Sequence, residues 1–244
     1  MSEEVRINKY LSEAGICSRR EADRQVEAGN VTINGRAAVM GDKVCPSDIV
    51  MYGNHLVSKE EEMILIAVNK PVGIVCTSEK REKDNIVDYV NYPKRIYPIG
   101  RLDKGSHGLI LMTNQGELVN KIMRSGNYHE KEYIVRVNRE ITKEFIENMS
   151  KGVYLEQLDV TTRPCQVEKV GKFTFRIVLT QGKNRQIRRM CETFQFRVVD
   201  LKRVRIMNIL LGNLKEGSYR EVTQKEWREL NKQIQNSSSE TVKL

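Results

Sequence analysis

Gly100-Arg101-Leu102-Asp103-Lys104-Gly105-Ser106-His107-Gly108-Leu109-Ile110-Leu111-Met112-Thr113-Asn114 sets a carboxylate in a glycine-punctuated loop that leads into an apolar strand. Loops carried on rigid strands are where catalytic side chains concentrate. By chemistry alone, Asp103 suits a turn or a helix cap as well as it suits a nucleophile. Arg101, two positions earlier, suits a phosphate contact or a partner acid.

Outward from this loop the chain mixes strand and helix signals. Residues 64–68 are an apolar strand, and Asn69-Lys70-Pro71-Val72-Gly73 behind it is a turn made rigid by proline and glycine. Residues 86–90, 117–123 and 141–149 read as helices, and residues 132–137 and 172–179 as strands rich in β-branched and aromatic side chains. Towards the carboxyl end stands Gln181-Gly182-Lys183-Asn184-Arg185-Gln186-Ile187-Arg188-Arg189-Met190-Cys191-Glu192-Thr193-Phe194. Ile187, Met190, Cys191 and Phe194 fall at i, i+3, i+4 and i+7, one buried helical stripe. Arg185, Arg188 and Arg189 lie off or beside that stripe. A solvated basic face accounts for them, and so does an arginine turned into a cleft.

The amino-terminal part reads as a separate small module, residues 1–58. Ile7, Tyr10, Leu11 and Ala14 have helical spacing, and Gly15 ends the helix. Ser18 followed by Glu21 predicts a capping box for a second helix that Gly29 closes. Arg19, Arg20 and Arg24 lie near one face of that helix. Val31-Thr32-Ile33 then Asn34-Gly35 reads as a strand and a tight hairpin turn. The charged, nonperiodic residues 59–62 are the expected linker, residues 63–232 the second domain, and the polar residues 233–244 an expected disordered tail.

The net charge of +9 points to a polyanionic partner. Its distribution is uneven. Residues 1–58 hold seven Lys/Arg against eight Asp/Glu, so the excess lies in the remainder. It peaks over residues 181–205, where eight basic side chains face two acidic ones. No apolar run approaches the roughly 20 residues that a spanning helix needs, and the acidic start does not resemble a signal peptide. The expected compartment is the cytoplasm, without membrane attachment. Five cysteines without a CxxC pair read as reduced thiols. With no HExxH or Cys/His cluster, no GxG and no P-loop, neither a metal nor a nucleotide cofactor is expected.

The blocks GRLDKGSHGLILMTNQGELVNKIM, NKPVG, HEKEYIV and QGKNRQIRRMCE resemble the ribosomal RNA pseudouridine synthases of the RsuA family, and within it the large-subunit (23S) enzyme F branch. SRREA followed by VTING resembles the alpha-L RNA-binding domain of small-subunit ribosomal protein S-four. The resemblance runs from about residue 6 to about residue 230. It implies an α+β catalytic domain on a mixed, mainly antiparallel sheet, preceded by a small helical RNA-binding domain. It implies catalytic roles for Asp103 as the essential aspartate, Tyr133 as the aromatic that stacks on the target base, and Arg188 as the basic partner of the aspartate. RNA contacts are expected from Arg19, Arg20, Arg24, Arg101, Lys183, Arg185 and Arg189. The implied partner is a ribosomal RNA stem-loop with a flipped uridine, met by a monomer. His107 departs from the usual pattern and is read as an exposed loop residue.

Pseudouridine formation cuts the bond between base nitrogen and sugar, then rejoins the base through a ring carbon. The base must leave its stack, which costs a few kcal/mol; stacking on Tyr133 would return roughly 1–3 kcal/mol. Asp103 either attacks the anomeric carbon or removes a proton from the neighbouring sugar carbon. Arg188 is expected to orient it through bidentate hydrogen bonds. The rival readings are a small-subunit ribosomal or transfer RNA pseudouridine synthase, a noncatalytic ribosomal RNA-binding assembly protein, and an S-four-linked RNA methyltransferase. The missing glycine-rich cofactor loop argues against the last.

Overall fold

The computed structural model describes residues 4–58, 63–79 and 81–238. The chain forms two compact units. One comprises the chain up to Ile64 with two short later segments, Tyr92–Ile96 and Asn114–Gly116; the other comprises the rest. The expected linker, residues 59–62, lies outside the described residues.

In the first unit the elements run β1 (Val5–Arg6), α1 (Ile7–Glu13), α2 (Arg19–Glu27), β2 (Val31–Ile33), β3 (Arg36–Ala37), β4 (Lys43–Val44), β5 (Val50–Tyr52) and β6 (His55–Leu56). Ile7 and Leu11, one turn apart on α1, meet Ala22 and Val26 of α2 and Val31 and Ile33 of β2 in one small core. The Asn34-Gly35 turn joins β2 to β3 with positive φ at both residues, 52° and 81°, the pairing that a two-residue hairpin of this hand requires. Ser18 caps α2 by accepting from the Glu21 amide at 3.2 Å. The reciprocal half of the expected capping box does not form. The Glu21 carboxylate is occupied by Gln25, one turn on, and by Arg24.

The second unit continues with β7 (Leu65–Lys70), α3 (Ile86–Val90), β8 (Tyr97–Ile99), β9 (His107–Thr113), α4 (Gly116–Met123), β10 (Lys131–Val137), α5 (Lys143–Ser150), β11 (Tyr154–Leu155), β12 (Val160–Thr161), β13 (Gln166–Gly171), β14 (Thr174–Leu179), α6 (Gln186–Thr193), β15 (Val198–Ile206), β16 (Ile209–Leu210), β17 (Tyr219–Glu221) and α7 (Gln224–Ile234). Nine described strands form one sheet in the order β13-β14-β10-β15-β9-β7-β17, with β16 on β15 and β8 on β9. All its pairings are antiparallel except β9 with β15, which matches the expected mixed, mainly antiparallel α+β architecture. The α6 stripe lands as its spacing predicts: Ile187, Met190 and Cys191 are buried with Phe145, Met149, Phe175 and Leu201, and Phe194 packs against them.

The parallel pair has a steric signature. Gly108 adopts φ +98°, and a Cβ there would stand 2.3 Å from the Arg203 carbonyl oxygen and 2.9 Å from its amide nitrogen. Only a residue without a side chain lets the two backbones approach this closely.

Three expectations are corrected here. Residues 198–206, read within the basic stretch 181–205 without a strand of their own, form the longest strand described, with Leu201 and Arg203 turned inward and Asp200 and Lys202 the other way. His107 is no loop residue: it opens β9 with its side chain 15% exposed, Nε2 3.0 Å from Asp200 Oδ1. The tail is ordered as far as it is described. α7 runs to Ile234, which is 1% exposed, and Ser237 Oγ sits 2.7 Å from His129 Nε2. A Thr223–Glu226 capping box starts that helix, and Arg220 holds Glu226 through both carboxylate oxygens. Thr223→Ala is expected to cost about 1 kcal/mol, lowering the melting temperature by about 2–4 °C; an unchanged thermal transition would show that the cap contributes nothing.

Candidate active site

The loop between β8 and β9 carries Asp103, and four contacts from distant parts of the chain hold it. The Gly73 amide of the rigid Asn69–Gly73 turn donates to the Lys104 carbonyl at 2.8 Å. The Leu102 amide donates to Cys76 Sγ at 3.3 Å. Arg188 Nη2, from α6, donates to the Gly105 carbonyl at 2.8 Å and to Ser106 Oγ at 3.2 Å. Within the loop the Ser106 amide closes a turn onto the Asp103 carbonyl at 3.0 Å. A loop braced this way presents its carboxylate in one position before any substrate arrives, which is how polar sites keep reorganisation costs low.

Asp103 opens onto a cavity of about 860 Å³ that also receives Tyr133 from β10 and Arg188 from α6. The three side chains for which the resemblance implied catalytic roles therefore share one space. Arg188 Nε lies 3.8 Å from Asp103 Oδ2, with the two side chains 14% and 33% exposed. The expected bidentate hydrogen bonding is absent. One Arg188 terminal nitrogen is committed to the loop backbone and Ser106, the other reaches the Val198 carbonyl at 3.5 Å, and the buried Nε has no hydrogen-bond partner among the described residues. Arg188 here is a strut for the loop as well as a counter-charge. Tyr133 is half-buried: it packs against the main core cluster and also lines the cavity, so it is both a strand aromatic and a wall of the site.

The described cavity lining carries eight cationic side chains against three carboxylates. They fall into two tiers. Arg101, Lys183 and Arg185 are exposed at the rim. Arg185 caps α6 with a left-handed backbone, φ 51°, a conformation that costs a non-glycine residue of order 1 kcal/mol and is found at functional sites more than elsewhere. Lys131 and Arg203 also line the cavity, but are only 2% and 1% exposed. Burial pulls the Lys131 ammonium down to about 8, and the neighbouring Arg203 charge adds to the effect. Lys70, fully buried at the end of β7, is likewise lowered by burial, while Cys76 and Asp103 pull it back up. Burial pushes the Cys76 thiol up.

The remaining expected contact residues divide. Arg189 does not border this cavity: its guanidinium is bonded to the Asn184 carbonyl and side chain, and it faces a shallow groove with Leu155 and Glu192. Helix periodicity accounts for this, because Arg188 and Arg189 are turned about 100° from each other. Arg19, Arg20 and Arg24 are all exposed on α2, with Arg24 paired to Glu21. The sequence reading missed Lys131 and Arg203. The signal available for them was the inward parity of positions 201 and 203 along β15, and of 131 and 133 along β10.

Comparison with known proteins bears on what such a site does. A family model described as RNA pseudouridylate synthase matches residues 64–193, and a model of the S4 domain matches residues 5–50. The dual-specificity RNA pseudouridine synthase RluF of Escherichia coli (strain K12) is 56% identical over 238 residues, 97% of this chain and 81% of that protein. Ribosomal large subunit pseudouridine synthase B of Bacillus subtilis (strain 168) is 32% identical over 232 residues, 92% of this chain and 95% of that one. Among solved structures, one described as a pseudouridylate synthase superposes with a TM-score of 0.68 at 26% identity, covering 93% of this chain and 99% of that chain. An aspartate loop braced over a cationic cavity thus occurs here in a chain similar along almost its whole length to enzymes of one activity, and the chain belongs to the RNA pseudouridine synthase family, isomerases of RNA, on the RluF branch that carries an amino-terminal S4 domain.

Proposed function

We propose that this protein isomerises a uridine in a stem-loop of large-subunit ribosomal RNA, acting as a monomer in the cytoplasm. The observation that carries the reading is that Asp103, Tyr133 and Arg188 meet in one cavity whose exposed rim is cationic. In the reaction, Asp103 works on the sugar, by attack at the anomeric carbon or by taking the proton of the neighbouring carbon. Either route breaks the C1′–N1 bond and leaves the electron pair on the uracil ring. Tyr133 stacks on the everted base, and Arg101, Lys183 and Arg185 hold the flanking phosphates. The choice of ribosomal RNA follows the names of the relatives, which include large-subunit enzymes. The relative described as dual-specificity also directs attention to a second RNA substrate, for which transfer RNA is the candidate carried from the sequence reading.

Mapping pseudouridines in ribosomal and transfer RNA from cells with and without the gene tests the assignment. Loss of at least one large-subunit site is expected; an identical pseudouridine map would refute it. Exposed Arg19 and Arg20 are assigned to docking. Their joint reversal to glutamate is expected to weaken RNA affinity by at least about tenfold at low salt, with an effect that shrinks as salt rises, while the single-turnover rate at saturating enzyme stays near that of the parent. Equal affinity of parent and variant would remove α2 from the RNA contact.

A further inference from the structure

The cavity floor contains two cations that the assigned roles leave unused. Lys131 and Arg203 are almost completely buried, lie close enough to repel each other, and have no carboxylate partner among the described residues. Lys131 Nζ donates to the His129 carbonyl at 3.0 Å and retains further hydrogens. Arg203 Nε donates to the Leu109 carbonyl at 2.7 Å, while its Nη2, also buried, has no hydrogen-bond partner among the described residues. Burying two like charges and leaving a donor unmet is costly. A fold that keeps such an arrangement in the same cavity as Asp103 is poised for negative charge that arrives only with the substrate.

Resting on the reading above, we propose that Lys131 and Arg203 form an oxyanion floor for the departing uracil. When the C1′–N1 bond breaks, its electron pair passes into the ring and is shared between N1 and the carbonyl oxygens. The floor cations would hold one of those oxygens while the ring turns. C5 of the same anion then bonds to C1′ as the Asp103–C1′ ester bond breaks and frees the carboxylate, or, on the other route, as Asp103 returns its proton to C2′. The C5 hydrogen then leaves as a proton to a base and N1 takes up a proton, so the sum is an isomerisation. A backbone phosphate is the less suitable occupant. Phosphates are bulky and remain hydrated at the strand's edge, where the exposed Arg101, Lys183 and Arg185 stand. A flat base edge suits a floor of side chains that are 1–2% exposed better than a tetrahedral phosphate does.

The test uses the full-length chain and a ribosomal RNA fragment carrying either uridine or 5-fluorouridine at the modified position. Fluorine makes the ring a better leaving group, so it needs less help from the floor. The readout is single-turnover consumption of the N-linked nucleoside, measured by chromatography of digested RNA, which serves both RNAs because the fluorinated product keeps its fluorine on C5 and has no hydrogen there to lose. Lys131→Met is expected to slow the uridine substrate about 100-fold and the fluorinated one by about tenfold or less, with RNA affinity within about threefold of the parent and no fall in melting temperature. Arg203→Lys, which keeps the charge and removes the unmet Nη2, is expected to show the same substrate dependence with a smaller loss. Equal slowing of both RNAs would overturn the proposal, as would a loss confined to RNA affinity, which marks a phosphate contact. If the parent enzyme rearranges neither RNA, it is the substrate assignment that fails and not the floor.

Discussion

Asp103→Asn is expected to abolish tritium release from ribosomal RNA labelled at uridine C5, a loss of about 10⁴-fold or more, on the scale of removing a nucleophile from a catalytic unit. The substitution is nearly isosteric, and the braces of this loop spare the Asp103 side chain. They run to the Lys104 and Gly105 carbonyls, the Leu102 amide, Ser106 Oγ and the Asp103 carbonyl. The loop should therefore hold its shape. Folding and RNA affinity are expected to stay near parental values, because the cationic rim is untouched. Retained turnover in the asparagine variant would refute both mechanisms considered for Asp103, since an amide can neither attack the anomeric carbon nor accept the neighbouring proton at a useful rate.

Gly108→Ala is expected to destabilise the catalytic unit by about 3 kcal/mol or more, from an unfavourable backbone angle together with a hard contact. The contact is with backbone: the new Cβ would stand 2.3 Å from the Arg203 carbonyl oxygen, so no side-chain rotation relieves it. For a chain of this size that loss corresponds to a fall in melting temperature of about 6–12 °C. Activity should fall further than stability alone requires. Pushing β15 from β9 displaces Arg203 on the cavity floor and the loop that carries Asp103, which lies five residues before Gly108. Thermal denaturation and tritium release measured together check this. An alanine variant with parental melting temperature would mean that β9 and β15 do not approach as described.

Several features of this protein were legible because they are local. The Asn34-Gly35 turn, the buried stripe from Ile187 to Phe194 and the Ser18 cap each depend on neighbours within a few residues, and each stands where its spacing puts it. The family blocks singled out Asp103, Tyr133 and Arg188, and the structure brings the three to one cavity. The expected hydrogen-bond geometry of Arg188 did not follow, because its terminal nitrogens are claimed by Gly105, Ser106 and Val198, all remote from it or outside its helix. His107 was misread for the same reason: its partner, Asp200, lies 93 positions away.

The sequence by itself determined which local elements form, where a carboxylate loop meets an apolar strand, and that the partner carries negative charge. Tertiary structure decided where each of the many cations stands. Lys131, Lys183, Arg189 and Arg203 are equivalent as letters, but strand parity and the parallel pairing of β9 with β15 bury Lys131 and Arg203, while Lys183 stays at the rim and Arg189 turns away. The physical reason is that a side chain's charge belongs to its residue type. Its desolvation and its neighbours depend on segments that meet only when the sheet closes.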